Sequence, residues 1–297
     1  MQSNIISILL LSLLLGGCAV NNEGQQHRGQ MSNLLLAEPA PMSVRSQMAI
    51  ARYNQILDQA PLKDQERAEL LHQRGMLYDS LGMVGLAQYD FDKAIRLKPD
   101  MAEAYNSMGV HYTQQMNFIQ AYEAFDATLD LNPDYEFAFL NRGIALYYGG
   151  RPDLAIKDFD TFYSKDETDP YRALWTYIAQ REIDDKKAFD ELSHARAILD
   201  QGNWAANLVD LYLGKIDEQT LLNALIKGVT SQQELTDRLC EAYFYLGKYN
   251  SAKGNRGVAS NYFKLALSTN VFEYVEHRYA RLELTLLRGN TIDDKQQ

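Results

Sequence analysis

The side chains that could do chemistry are few and scattered. The five histidines are His27, His72, His111, His194 and His277, and no two stand at metal-ligand spacing. His-Glu-x-x-His, Gly-x-Ser-x-Gly, Gly-x-x-x-x-Gly-Lys-Ser/Thr and Gly-x-Gly-x-x-Gly are all absent. Carboxylates are plentiful, 39 Asp and Glu against 29 Lys and Arg, but an acidic surface supplies close pairs by default. Asp166, Glu167, Asp169, Asp184 and Asp185 read as solvated connector acids, since no Asp-x-Asp-x-Asp-Gly calcium loop occurs. No catalytic residue, metal ligand or cofactor is therefore expected. Recognition chemistry remains, and it needs elements that can present side chains in rows.

Such elements are written into the chain at one interval. Gly75, Gly109 and Gly143 lie 34 residues apart, as do Ala87, Ala121 and Ala155, and Phe91, Phe125 and Phe159. Each glycine precedes its alanine by 12 residues and each alanine its phenylalanine by four. The last spacing puts alanine and phenylalanine on one helical face. Small residues at a helix crossing let two backbones approach, and the phenylalanine is expected to fill the gap toward the next hairpin. Pro99 and Pro133 follow the second helices, and Pro170 does so in the third unit, three residues late. Registered series at this interval are the signature of tetratricopeptide (TPR) repeats. The expected fold is all-α: a solenoid of TPR helical hairpins, with divergent central hairpins and a C-terminal capping helix.

The repeats occupy 68–169, behind an N-terminal helical segment over 43–67 with Ile50, Tyr53 and Leu57 at helical spacing. The pattern degrades over 170–239, where Tyr171 to Arg181 and Trp204 to Leu213 read as helices. It returns at Gly247, Ala259 and Phe263, giving a fourth clear repeat and a capping helix over 240–288, then a polar tail over 289–297. The cap carries Phe272, Val275, Tyr279, Leu282 and Leu286 on one stripe. Cys240 opens the first helix of the fourth repeat, as an inert buried thiol or as a reactive or intermolecular one.

The N-terminus carries a separate signal. Ile5 to Leu15 is apolar apart from Ser7 and Ser12, and too short to span a bilayer as a folded helix. It reads as the apolar region of a signal peptide over 1–17. Met1 to Leu10 lacks the usual Lys or Arg. The run ends in Leu15-Gly16-Gly17-Cys18, which resembles a bacterial lipobox; the resemblance implies that Cys18 becomes the first mature residue and carries the lipid. Several acyl chains on one residue anchor a protein stably. Ala19, where inner-membrane lipoproteins commonly carry Asp, implies sorting to the outer membrane. Residues 18–42 read as a lipidated tether. The alternative is that this segment, through Leu34 to Leu36, packs on the body or on a second subunit. The formal net charge of −10, without a Lys/Arg stripe, disfavours nucleic-acid binding.

In a TPR hairpin the first helix lines the concave face. The inward candidates for partner binding are Glu69, His72, Met76 and Asp79 in the first repeat. Glu103, Asn106, Val110 and Thr113 follow in the second, and Phe137, Leu140, Ile144, Tyr147 and Tyr148 in the third. Tyr147 and Tyr148 either anchor a peptide or pack on the next divergent hairpin. His72, Met76 and Asn106 do not reproduce the Lys/Asn/Arg clamp of chaperone-tail binders.

Leu77-Tyr-Asp-Ser-Leu-Gly82, Ala121-Tyr-Glu-Ala-Phe-Asp126, Asn141-Arg-Gly-Ile-Ala-Leu-Tyr-Tyr-Gly-Gly150 and Val275-Glu-His-Arg-Tyr-Ala280 closely resemble the NlpI family of TPR lipoproteins. The resemblance covers nearly the whole mature chain. It implies an outer-membrane lipoprotein facing the periplasm, a homodimer, and an adaptor that presents a murein DD-endopeptidase to a tail-specific protease. It also implies binding of other murein hydrolases and synthases. The rival expectations are a TPR lipoprotein for pilus or outer-membrane β-barrel assembly, and an enzyme.

Overall fold

The computed structural model describes residues 35–200 and 202–293. Cys18, the signal segment and residues 18–34 of the tether lie outside the described residues. Fourteen α-helices and no strand are found among those described. None of these helices is long and apolar enough to cross a membrane. Helix α1 (Val44–Gln59) starts at Ser43, whose hydroxyl accepts the Ser46 N–H at 3.1 Å. Three hairpins follow: α2 (Asp64–Ser80) with α3 (Val84–Leu97), α4 (Ala102–Gln114) with α5 (Phe118–Leu131), and α6 (Glu136–Tyr148) with α7 (Pro152–Tyr163).

Each hairpin closes on one contact. A Cβ placed on Gly75 would lie 2.6 Å from the ring of Phe91, and the same holds for Gly109 with Phe125 and for Gly143 with Phe159. The phenylalanine thus lies over the glycine of its own hairpin, and only glycine leaves room for it. The rings also reach forward, as expected: Phe91 packs on Met108 and lies 5.7 Å from His111, and Phe159 stacks on Trp175 at 5.7 Å. All three phenylalanines are fully buried.

A second rung is charged. Arg74 grips Asp90 with two hydrogen bonds of 2.6 and 2.7 Å. Sixty-eight residues later Arg142 grips Asp158 in the same way, at 2.8 Å twice, and adds Asp126 at 2.7 Å. The middle repeat has Met108 and Ala124 at these positions, so an apolar pair stands where its neighbours use a desolvated ion pair. The turn after each first helix needs a left-handed residue: Gly82 has φ 71°, Gly150 74° and Met116 61°. Met116 occupies that region without glycine's freedom.

The centre holds four helices, α8 (Pro170–Arg181), α9 (Asp185–Ile198), α10 (Ala206–Tyr212) and α11 (Glu218–Leu225). Asp169 and Asp184 are N-caps, accepting the N–H groups of Tyr171 and Lys187, and Asp185 lies in the first turn of α9. These acids therefore start helices and do not simply float in connectors. Helix α12 (Gln232–Ala252) is 21 residues long, so Cys240 lies inside it, fully buried, and does not open it. Burial pushes its thiol well above the usual range, which fits the inert reading. Gly247 meets Phe263 of α13 (Arg256–Ser268) as in the first three hairpins, and a Cβ there would lie 2.5 Å from the ring.

The last helix, α14 (Val275–Asp293), extends past the expected start of the polar tail. It does more than cover one end, since it packs on α12 and α13 and also on α4. Phe272, expected on its stripe, precedes it and presses on Gly82, where a Cβ would lie 2.7 Å from the ring. The end of the expected tether is held as well: Ala40 donates its N–H to the Thr269 carbonyl at 2.7 Å, and Thr236 Oγ1 donates to the Glu38 carbonyl at 3.2 Å.

The glycine–phenylalanine contact predicts a sign. Alanine normally stabilises a helix by about 1 kcal/mol relative to glycine. Gly109→Ala is expected to destabilise instead, by about 1–3 kcal/mol, because the Phe125 ring cannot retreat. Urea unfolding followed by circular dichroism measures it, and a raised midpoint would contradict the packing described.

Candidate interaction face

The first helices α2, α4 and α6 carry the thirteen inward candidates, and the structure sorts them into two groups. Glu69, Met76, Glu103 and Phe137 are exposed, and His72 and Asn106 are half-buried. These six form the accessible set. Glu69 pairs with Lys98 at 3.2 Å. Asn106 accepts from the Asn141 side chain at 3.1 Å. The Ser107 hydroxyl lies 3.5 Å from His72 Nε2 and 3.7 Å from Met76 Sδ. Burial, partly opposed by Glu103, lowers the His72 pKa, so this imidazole is neutral at pH 7. Phe137 keeps 55% of its surface exposed while its ring sits 5.9 Å from Phe162.

The other seven are buried or held by contacts within the chain. Val110, Thr113, Leu140 and Ile144 are buried. Thr113 donates its hydroxyl back to the Gly109 carbonyl at 2.8 Å. The remaining three are claimed by the C-terminal half of the chain. Asp79 binds Arg278 of α14 at 2.7 Å and lies 3.3 Å from His111 Nε2. Burial would raise the pKa of Asp79, but His111 and Arg278 reverse this and hold it below the usual carboxylate value. Tyr148 donates to Glu283 of α14 at 2.7 Å, and its ring lies 5.6 Å from Tyr279. Tyr147 accepts from Lys248 Nζ at 2.8 Å and meets the Trp175 ring edge-on at 6.4 Å. The two tyrosines therefore pack, Tyr147 on the next divergent hairpin and Tyr148 on the terminal helix. At three of these positions the chain itself takes up the surface: α14 meets Asp79 and Tyr148, and Lys248 of α12 with Trp175 of α8 meets Tyr147.

Counting within repeats missed the residues that do this. Lys248 and Glu283 are both buried and 2.6 Å apart. Burial opposes the charge on Lys248, yet Glu283 and Tyr147 outweigh it and raise its pKa. Together with Tyr147, Tyr148, Tyr177 and Arg181 they line a cavity of about 370 Å³. The available signal was Glu283 itself, a carboxylate between Leu282 and Leu284 in the apolar stripe of α14. A second buried carboxylate on α14, Glu276, faces Glu241 of α12; burial pushes both pKa values up, and in Glu241 the Glu276 charge adds to it. Glu241 also accepts hydrogen bonds from Tyr171 and Trp204.

Among the described residues no group of three or more His, Cys, Asp or Glu side chains is placed to hold a metal ion. The tetratricopeptide repeat model matches residues 68–101. The fold is a TPR fold. Among solved structures, a tetratricopeptide repeat protein from Parabacteroides merdae is 16% identical, covering 83% of this chain and 100% of its own, with a TM-score of 0.47. YrrB, described as a TPR protein with an unusual peptide-binding site, is 15% identical over 77% of this chain and 97% of its own, with a TM-score of 0.44. The Cut9–Hcn1 hetero-tetramer of the APC/C gives 17% identity, 82% and 46% coverage and a TM-score of 0.49. TPR arrays are scaffolds for protein–protein interaction and are generally non-catalytic.

Two outcomes are expected. Glu283→Gln strands the buried Lys248 cation and should cost about 3–5 kcal/mol, while Lys248→Met with Glu283→Leu should recover most of it; thermal melts of the three proteins check this. Glu241 and Glu276 bind protons more tightly folded than unfolded. Their contribution is thus fully present below the ordinary glutamate pKa of 4.5 and is lost as pH rises through their raised values. Stability should fall between pH 5 and pH 8, and Glu276→Gln should flatten that slope in a pH series of urea midpoints.

Proposed function

We propose that this chain is a lipid-anchored adaptor of the NlpI type. It holds a murein endopeptidase near a tail-specific protease and gathers other cell-wall hydrolases and synthases. In this reading Cys18 carries the lipid, the anchor lies in the outer membrane, and the body faces the periplasm. The observation that carries the adaptor role is the accessible strip of Glu69, His72, Met76, Glu103, Asn106 and Phe137. It offers mixed polar and apolar contacts on three consecutive first helices, beside a terminal helix that occupies the face at Asp79 and Tyr148. Such a strip takes an extended segment of a client and performs no chemistry on it. Tethering client and protease on one body raises the effective concentration of each for the other. The homodimer in this reading is supported by α1, whose Val44 and Met48 stand one turn apart with 69% and 70% of their surface exposed.

Reconstitution tests the proposal. Purified endopeptidase and protease are mixed with and without the chain. Faster loss of the endopeptidase in its presence, and no hydrolysis by the chain alone, is expected. Phe137→Ser with Met76→Ser should reduce the acceleration by roughly tenfold. An unchanged degradation rate with the intact chain would overturn the adaptor role.

A further inference from the structure

A groove distinct from this strip runs between α1 and α3, with α2 at its base. Its volume is about 450 Å³. Leu57, Leu71 and Leu97 form the apolar floor. Arg67, Lys93 and Arg96 stand along its rim, and no carboxylate lines it, although the chain carries a net charge of −10. We propose that this groove docks an acidic, apolar-faced helical segment of a partner protein.

The repeat itself supplies the control. Thirty-four residues on, the positions of Arg67, Lys93 and Arg96 hold Met101, Ala127 and Asp130; 68 residues on, they hold Tyr135, Thr161 and Ser164. The hairpin fold therefore does not require cations there. Only the first groove carries all three. Their partners leave them free to act. Arg67 spends one N–H group on the Leu57 carbonyl, at 2.8 Å. Lys93 Nζ rests over the Tyr89 ring, 4.5 Å from its centre, and neither side chain has a carboxylate partner among the described residues. Arg96 pairs with Asp92 of its own helix, but both are well exposed, with side-chain exposures of 75% and 49%, and such a pair exchanges readily.

The spacing fits a helix. Arg67 and Leu71 stand one turn apart on α2, and Lys93 and Leu97 one turn apart on α3, so on each helix a rim cation lies one turn from a leucine of the floor. A helical occupant with carboxylates flanking an apolar stripe meets both. A second copy of this acidic chain meets the rim less well, and the short leucine floor suits a few side chains better than an acyl chain.

The test uses the whole chain and three probes: a fluorescent amphipathic peptide of Leu, Ala and Glu, the same peptide with Lys for Glu, and phosphatidylglycerol vesicles. The Glu peptide is expected to bind, more weakly at high salt, and Lys93→Glu with Arg96→Glu should weaken it by at least about tenfold. Lys93→Arg with Arg96→Lys should restore it. Both positions are exposed, and unchanged thermal melts confirm the variants fold. Equal binding of the Lys peptide, an affinity untouched by charge reversal, no binding of the Glu peptide, or charge-dependent binding of the vesicles in its place would each overturn the proposal. So would charge reversal that abolishes self-association, which would make the groove a contact between copies. Any of these leaves the adaptor role to stand or fall on the degradation assay.

Discussion

The structure depends on a ring lying on a bare backbone. In four hairpins a phenylalanine of the second helix covers a glycine of the first, closely enough that a methyl group would overlap it. That contact sets how near the two helices come, and the distance sets everything stacked upon it. Phe91 can reach Met108 and His111, and Phe159 can reach Trp175, because each ring is already pinned from behind. The buried Arg–Asp rungs are secondary to this. Two of the four hairpins replace the rung, one with Met108 and Ala124 and one with Leu246 and Tyr262, and keep the same glycine–phenylalanine contact, whereas none of the four replaces its glycine.

Against this local rule stands one long-range exception. Ordinary repeat arrays are held by nearest-neighbour contacts. Here α14 reaches from the last hairpin to the first helices and ties Arg278 to Asp79 and Glu283 to Tyr148. The buried Lys248 completes the second tie and is itself neutralised by it. The face that a plain array would leave open is thus shared, partly filled by the chain and partly offered to others.

The division between what could and could not be read from sequence follows the same line. The helical hairpins were legible because their determinants recur at a fixed interval and act within one hairpin. Counting along the repeat also placed Asp79, Tyr147 and Tyr148 on the first helices, where they stand. It could not show that this surface was taken, since the partners lie 135 residues away for Tyr148 and 199 for Asp79. Helices α9 and α11 were missed because they carry no glycine–alanine–phenylalanine register; their starts are marked only by single capping acids, Asp184 and Asp217. Glu38 and Ala40 looked like linker because backbone hydrogen bonds leave no mark on side-chain pattern.

The tie between Asp79 and Arg278 has a consequence in time as well as in space. Hairpins can form as soon as their own residues exist, since closing a short loop costs little. The first hairpin, however, has no counter-ion for its buried Asp79 until the residues of α14 have been made. The earliest part of the array to appear is therefore among the last to be finished, and a chain cut short before α14 would leave that carboxylate without Arg278, with the His111 ring 3.3 Å away.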